Sequence, residues 1–103
     1  MTVNPLTAGL RPVHPGELLR EDVLPALGLP KAQIARLLGI SRQTLYDILN
    51  EHQPVTAGMA LRIGKLCGDG PMPWLAMQQL YDVKVAERDL GDAIAAIPTL
   101  AAA

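Results

Sequence analysis

The sequence predicts an all-α fold of five short helices preceded by an irregular N-terminal arm. Apolar residues recur at helical spacing in five segments, and no segment alternates apolar and polar residues for long. Capping residues, glycines and prolines divide these segments from one another. The chain has 103 residues, of which 50% are hydrophobic and 18% charged. This composition predicts one ordered domain with a single aliphatic core.

Two helices are expected in the first part of the chain. Residues 1–13 contain prolines and a glycine without an apolar period, which predicts the irregular arm. Pro15 and Glu17 suit the first turn of a helix, and Pro25 is expected to end it, with 24–28 as a short connector. The second helix covers 31–38 and is expected to stop at Gly39.

Three further helices follow. Ser41 is expected to cap a helix over 42–50, and Thr56 one over 57–66. A break at 68–71 precedes a fifth helix that begins near Pro73 and either continues past Gly91 or gives way to a separate short helix. We therefore divide the chain into the arm 1–13, a helix-turn-helix core over 14–70, and a C-terminal helix region over 71–103 that packs on the core and dimerises.

A helix-turn-helix motif is predicted by the side chains that follow Lys31. Ala35, Gly39 and Leu45 stand at the fifth, ninth and fifteenth positions of a window beginning there, and the matching inner positions are apolar. A small residue at 35 lets the next helix cross close above it, and glycine at 39 allows a positive φ in the turn. The alternative is an ordinary corner between two helices of an all-α protein.

If the motif is present, the helix that follows Ser41 is the recognition helix, whose leading residues contact base edges. Arg42 can read guanine, Gln43 adenine, and Asp47 can accept from cytosine N4. Lys31 and Gln33 open the preceding helix, where side chains and free N–H groups suit phosphates. The predicted DNA-binding residues are Lys31, Gln33, Ser41, Arg42, Gln43, Thr44, Tyr46 and Asp47. Arg36, Arg62 and Lys65 are either phosphate contacts or solvated charges.

The basic middle and acidic end of the chain suggest one surface for an anionic polymer; the alternative is a chance imbalance of the size found in any soluble protein. Residues 31–68 carry five basic and two acidic side chains, whereas 69–103 carry two basic and five acidic ones.

No nucleophile triad, phosphate loop or carboxylate pair indicates an enzyme. His14 and His52 stand alone and Cys67 is the one cysteine, so neither a metal nor a cofactor is expected. No transmembrane span or signal peptide is evident, which favours the cytoplasm.

The fifth predicted helix carries an apolar face that is wide for a domain of this size, formed by Trp74, Met77, Leu80, Tyr81 and Val85. Trp74 suits a core anchor or an interface, and the surplus apolar surface suggests self-association. The predicted dimerisation residues are Trp74, Met77, Leu80 and Tyr81.

Several segments together resemble the HigA-type antitoxins, a group of XRE proteins with a lambda-repressor-like helix-turn-helix fold. They are His14-Pro15-Gly16-Glu17, Leu38-Gly39-Ile40-Ser41-Arg42-Gln43, Val55-Thr56 and Pro73-Trp74-Leu75, within residues 14–88. The resemblance implies a dimer that represses its own operon through operator DNA and neutralises a HigB-type mRNA-cleaving toxin. It places base contacts on Arg42, Gln43, Thr44 and Asp47.

The chain departs from that group in the loop over 51–54, which lacks the basic residues and the glycine common there. Two other readings remain open: a repressor without a toxin partner, and an interaction module that does not bind DNA.

Overall fold

Five helices and no strand occupy residues 11–101, the part of the chain that the computed structural model describes. We label them α1 to α5. The first, α1, is continuous through Pro15–Leu18, a π-helical turn at Leu19–Val23, and Leu24–Leu27; the others are α2 (Lys31–Leu38), α3 (Arg42–Leu49), α4 (Ala57–Cys67) and α5 (Met72–Ala95). The predicted all-α class is confirmed. Of the predicted arm, residues 1–10 lie outside the described residues, and 11–13 are not helical.

The first helix begins as predicted but does not end at Pro25. His14 caps it, because its ring Nδ1 accepts a hydrogen bond of 2.9 Å from the backbone of Gly16. The helix then widens, and the N–H of Leu24 bonds to the carbonyl of Leu19, five residues back. This π turn immediately precedes Pro25, which lies within the last helical stretch. The prediction of a connector over 24–28 is therefore wrong, and the helix ends at Gly28 (φ 68°).

The other predicted boundaries are confirmed where a cap or a glycine defines them. Gly39 ends α2 with φ 72°. The Ser41 hydroxyl accepts from the backbone N–H of Thr44 at 3.0 Å and starts α3, and Thr56 does the same for Met59 at 3.3 Å at the start of α4. Each cap satisfies a backbone donor that the first turn of a helix leaves without a partner.

One aliphatic core joins all five helices. Ala35 and Ile34 of α2 pack against Leu45 and Ile48 of α3, as the motif predicts, with Ile40 partly buried at the corner. The buried apolar residues are Leu19, Leu24, Ile34, Ala35, Leu38, Leu45, Ile48, Leu49, Val55, Met59, Ala60, Ile63 and Trp74.

The last helix is one continuous element that extends beyond the core. It passes through Gly91 without a break, which decides between the two alternatives left open by the sequence. Its first turns pack on the core through Trp74 and Gln78, whereas residues 86–100 are all exposed. The molecule consequently measures 53 × 26 × 23 Å. Of the helices in residues 11–101, none combines the length and apolar character that a bilayer crossing requires.

Candidate nucleic-acid interface

The corner between α2 and α3 has the construction that the spacing predicts. Ala35 is buried beneath α3, and Leu45 fills the angle between the helices. Gly39 turns the chain with a positive φ, and the N–H of Ile40 bonds back to the carbonyl of Ala35 at 3.0 Å. The N-terminal end of α3 therefore projects from the body of the domain with its side chains available to a ligand.

Arg42 and Gln43 lie side by side on this projecting end, and both are exposed. Arg42 makes no hydrogen bond or ion pair with any other residue in 11–101, so its guanidinium is free to bind a ligand. Ser41 is used twice within the cap: its hydroxyl accepts from the Thr44 N–H and donates to the Thr44 hydroxyl at 2.9 Å. Ser41 and Thr44 thus shape the helix start, while exposed Arg42 carries a guanidinium, a group that can bond to a base edge through two parallel N–H donors.

Gln43 and Asp47 act as a pair rather than as two independent contacts. The amide Nε2 of Gln43 donates to Asp47 Oδ1 at 2.8 Å, one helical turn away. The carboxylate therefore orients the Gln43 amide, whose carbonyl oxygen can still accept a hydrogen bond from a ligand. The role predicted for Asp47 from the sequence, accepting from a cytosine, would then fall to its other carboxylate oxygen, Oδ2.

Lys31 and Tyr46 connect the start of α2 to the face of α3. The Lys31 ammonium lies 5.7 Å from the centre of the Tyr46 ring, which is a cation–π contact. Both side chains remain exposed, so the ammonium stays accessible to a phosphate. Gln33 is also exposed, but its backbone N–H bonds to the Pro30 carbonyl at 3.0 Å and is not free. Any contact with phosphate by Gln33 must come from its side chain.

The far end of α3 is held by residues that the sequence analysis did not single out. Arg20 of α1 donates to the carbonyl of Leu49 at 2.5 Å and approaches Glu51 at 3.5 Å. A cation at this end satisfies a terminal carbonyl and complements the helix dipole. Glu51 itself has φ 63°, a left-handed conformation, and it lies in the loop over 51–54 that lacks the glycine common in the group the chain resembles.

Behind α3, the His14 ring packs edge-on against Tyr81 of α5, with 5.0 Å between ring centres. Burial lowers the pKa of His14 from its usual 6.5, which favours the neutral ring that can accept from Gly16. Among residues 11–101, no three His, Cys, Asp or Glu side chains come together in a way that could hold a metal ion.

The four residues predicted for dimerisation differ in how far their side chains are exposed. Trp74 is 3% exposed and its indole N–H donates to Asp69 at 3.0 Å, so it is a core anchor of the single chain, not a surface residue. Met77 and Tyr81 are half-buried, and Leu80 is exposed on the outer side of α5.

Comparison with known proteins agrees with this geometry. The helix-turn-helix family matches residues 19–75. Virulence-associated protein I of Dichelobacter nodosus is 40% identical over 77 residues, which cover 75% of this chain and 71% of that protein. The structure of antitoxin GraA in complex with its operator aligns with a TM-score of 0.85 and 38% identity, over 99% of this chain and all of the other.

A third relative is the Pseudomonas aeruginosa antitoxin HigA, whose structure was solved with the higBA promoter. It aligns with a TM-score of 0.83 and 34% identity, over 88% of this chain and all of the HigA chain. The family match covers more than half of the sequence, and these antitoxins match nearly the whole fold. The chain belongs to the helix-turn-helix family and, within it, to the HigA-type antitoxins.

Proposed function

We propose that this protein is an antitoxin and transcriptional autorepressor that binds its operator as a dimer. The observation that carries the proposal is the exposed Arg42 guanidinium, without a partner among residues 11–101, beside Gln43 at the start of α3, with Lys31 at the adjoining start of α2. Two relatives of the same fold, GraA and the Pseudomonas HigA, were solved with operator or promoter DNA. An operator target is consistent with action in the cytoplasm.

The residues divide into base readers and backbone contacts. Arg42 donates two parallel hydrogen bonds to the O6 and N7 atoms of a guanine, and the Gln43 amide reads a neighbouring base in the orientation that Asp47 gives it. Lys31, Gln33 and Tyr46 contact phosphates that flank this groove, and Thr44 contributes through its hydroxyl or methyl group. The phosphate contacts fix the register of α3, and the base contacts supply sequence preference.

Dimerisation uses the outer face of α5. The outer face carries four apolar side chains that are each about half exposed: Leu80, Val83, Leu90 and Ile94. Their spacings of three, seven and four residues place them along one side of the helix. Met77 and Tyr81 continue this face towards the core, whereas Trp74 does not take part because it is buried. Binding to two half-sites requires this pairing to hold the recognition helices about 34 Å apart, one turn of the duplex.

The toxin partner is a HigB-type mRNA-cleaving enzyme. The acidic C-terminal part of the chain, with Asp89 and Asp92 exposed on α5, suits a basic RNase through charge complementarity. The N-terminal arm is the second candidate for this contact, although residues 1–10 lie outside the described part.

Operator binding is tested with a gel-shift assay on the promoter of the chain's own gene at several salt concentrations. We expect log K to fall linearly with log salt, because several phosphates are contacted by each protomer. Arg42→Ala should weaken specific binding by about 1–3 kcal/mol and relax preference at one base pair. Arg88→Ala, which removes an equal charge from exposed α5, is the control and should leave affinity nearly unchanged. Equal losses in the two variants would refute the assignment of Arg42, and binding that ignores salt would refute operator binding.

The toxin partner is tested separately by co-expression with the product of the neighbouring gene, followed by measurement of the mass of the purified complex. A stable complex and relief of growth arrest support the antitoxin assignment. Operator binding without any such complex would instead identify a repressor that acts alone.

A further inference from the structure

Arg62 lies on α4 yet makes its polar contacts at the helix-turn-helix corner. Its Nη1 donates to the carbonyl of Leu38 at 2.7 Å and approaches that of Gly39 at 3.4 Å. The N–H groups of Gly39 and Ile40 already bond to the carbonyls of Arg36 and Ala35. Arg62 therefore supplies a donor for the carbonyls at the end of α2, where a cation also complements the helix dipole.

The same side chain closes the space above the turn. A Cβ atom at position 39 would lie 2.7 Å from Arg62 Nη1, so the guanidinium rests directly over Gly39. Glycine at this position thus meets two requirements: it adopts the positive φ of the turn, and it leaves space for the guanidinium of Arg62. The turn is held from inside by backbone hydrogen bonds and from outside by α4.

From these contacts we infer that Arg62 is a positioning residue for operator recognition. It fixes the turn that joins α2 to Ser41, and so sets the direction in which Arg42 and Gln43 project. The inference rests on the proposed function. It differs from the role that its charge alone suggests, a phosphate contact, because its guanidinium is engaged with the carbonyls of Leu38 and Gly39.

The test compares Arg62→Gln with Lys65→Gln. Both remove one positive charge from exposed positions of α4 three residues apart, but only Arg62 bonds to the turn. Operator affinity is measured from low to moderate salt, and amide hydrogen exchange is measured on the free proteins. Arg62→Gln should weaken operator binding about tenfold more than Lys65→Gln, with the same salt slope for both. The amides of Gly39 and Ile40 should exchange faster in Arg62→Gln alone, and Arg62→Lys should recover part of both losses.

Two results would overturn the inference. If the salt slope of Arg62→Gln is smaller than that of Lys65→Gln by about 0.9, with unchanged exchange at the turn, Arg62 is a phosphate contact. If the two variants bind equally, it has no positioning role. Failure of the wild-type protein to bind the operator would refute the proposed function, and is seen before any variant is compared. The exchange data on free protein then still decide whether Arg62 holds the turn.

Discussion

Gly16→Ala tests how tightly the first helix positions the recognition helix. Gly16 is buried in the first turn of α1, directly against the backbone of Ile48 in α3. A Cβ atom there would lie 3.0 Å from the Ile48 carbonyl carbon and closer still to its oxygen, against 3.4–4 Å for ordinary contact. Since the obstacle is backbone, a side-chain rotation cannot relieve the clash, and α1 and α3 must move apart.

The cost follows from two opposing effects. Overpacking a well-packed site costs about 3 kcal/mol at the upper end, which applies here because backbone must shift. Alanine in place of a helical glycine returns about 1 kcal/mol. The net loss in the free energy of unfolding is therefore about 2 kcal/mol, or about 8–16 °C in melting temperature for a domain of this size.

The assay is thermal unfolding at one fixed protein concentration, with operator affinity measured well below the transition. Gly91→Ala is the matched control, because it is also a helical glycine but nothing lies within 4 Å of the added methyl group. We expect it to stabilise the protein slightly and to bind the operator normally. A Gly16→Ala protein as stable as Gly91→Ala, with normal operator binding, would refute the close packing of α1 on α3.

Three further predictions concern binding, a buried hydrogen bond and pH. Lys31→Ala should weaken binding to the operator and to unrelated DNA alike, and should reduce the salt slope by about 0.9 in a gel-shift assay at several salt concentrations. A loss of affinity confined to the operator would contradict a phosphate contact. Gln78→Ala should lower the free energy of unfolding in urea by about 1–3 kcal/mol, because the side-chain oxygen of Gln78 accepts the buried N–H of Val55 at 2.8 Å, whereas exposed Gln79→Ala should cost less than about 0.5 kcal/mol. Because burial lowers the pKa of His14, the unfolded chain binds more protons at this position than the folded one. The contribution of neutral His14 to the free energy of unfolding should therefore be fully present above about pH 6.5 and decline as the pH falls towards its lowered pKa in the folded protein. Urea unfolding at several pH values between about 5 and 8 measures this decline. His14→Asn, which retains a capping oxygen, should flatten it, whereas His52→Asn should leave it unchanged.

Local signals in the sequence were sufficient to predict most of the corner that forms the site. Ser41 and Thr56 cap helices through their own hydroxyl groups, and Gly39 adopts the positive φ that its type allows, so each can be recognised without knowledge of the fold. The exposure of Arg42 and Gln43 follows from the same helical period that buries Leu45 and Ile48.

Contacts between distant segments could not be predicted in this way. Arg20 and Arg62 meet the ends of α3 and α2 from 29 and 24 residues away, and no local pattern indicates such partners. Pro25 does not end the helix as the local rule for proline predicts, because a π turn precedes it in the chain. Glu51 has a positive φ although its residue type disfavours it, and residue type does not indicate that its N–H bonds to the Ile48 carbonyl at 3.0 Å.

The start of α3, together with the start of α2, is expected to form the surface that contacts DNA. The most direct measurement is an operator titration of nitrogen-15-labelled protein followed by NMR. We expect the largest amide shifts at Arg42, Gln43 and Lys31, with residues 86–97 of α5 little changed. Large shifts on α5 with α3 unaffected would contradict it.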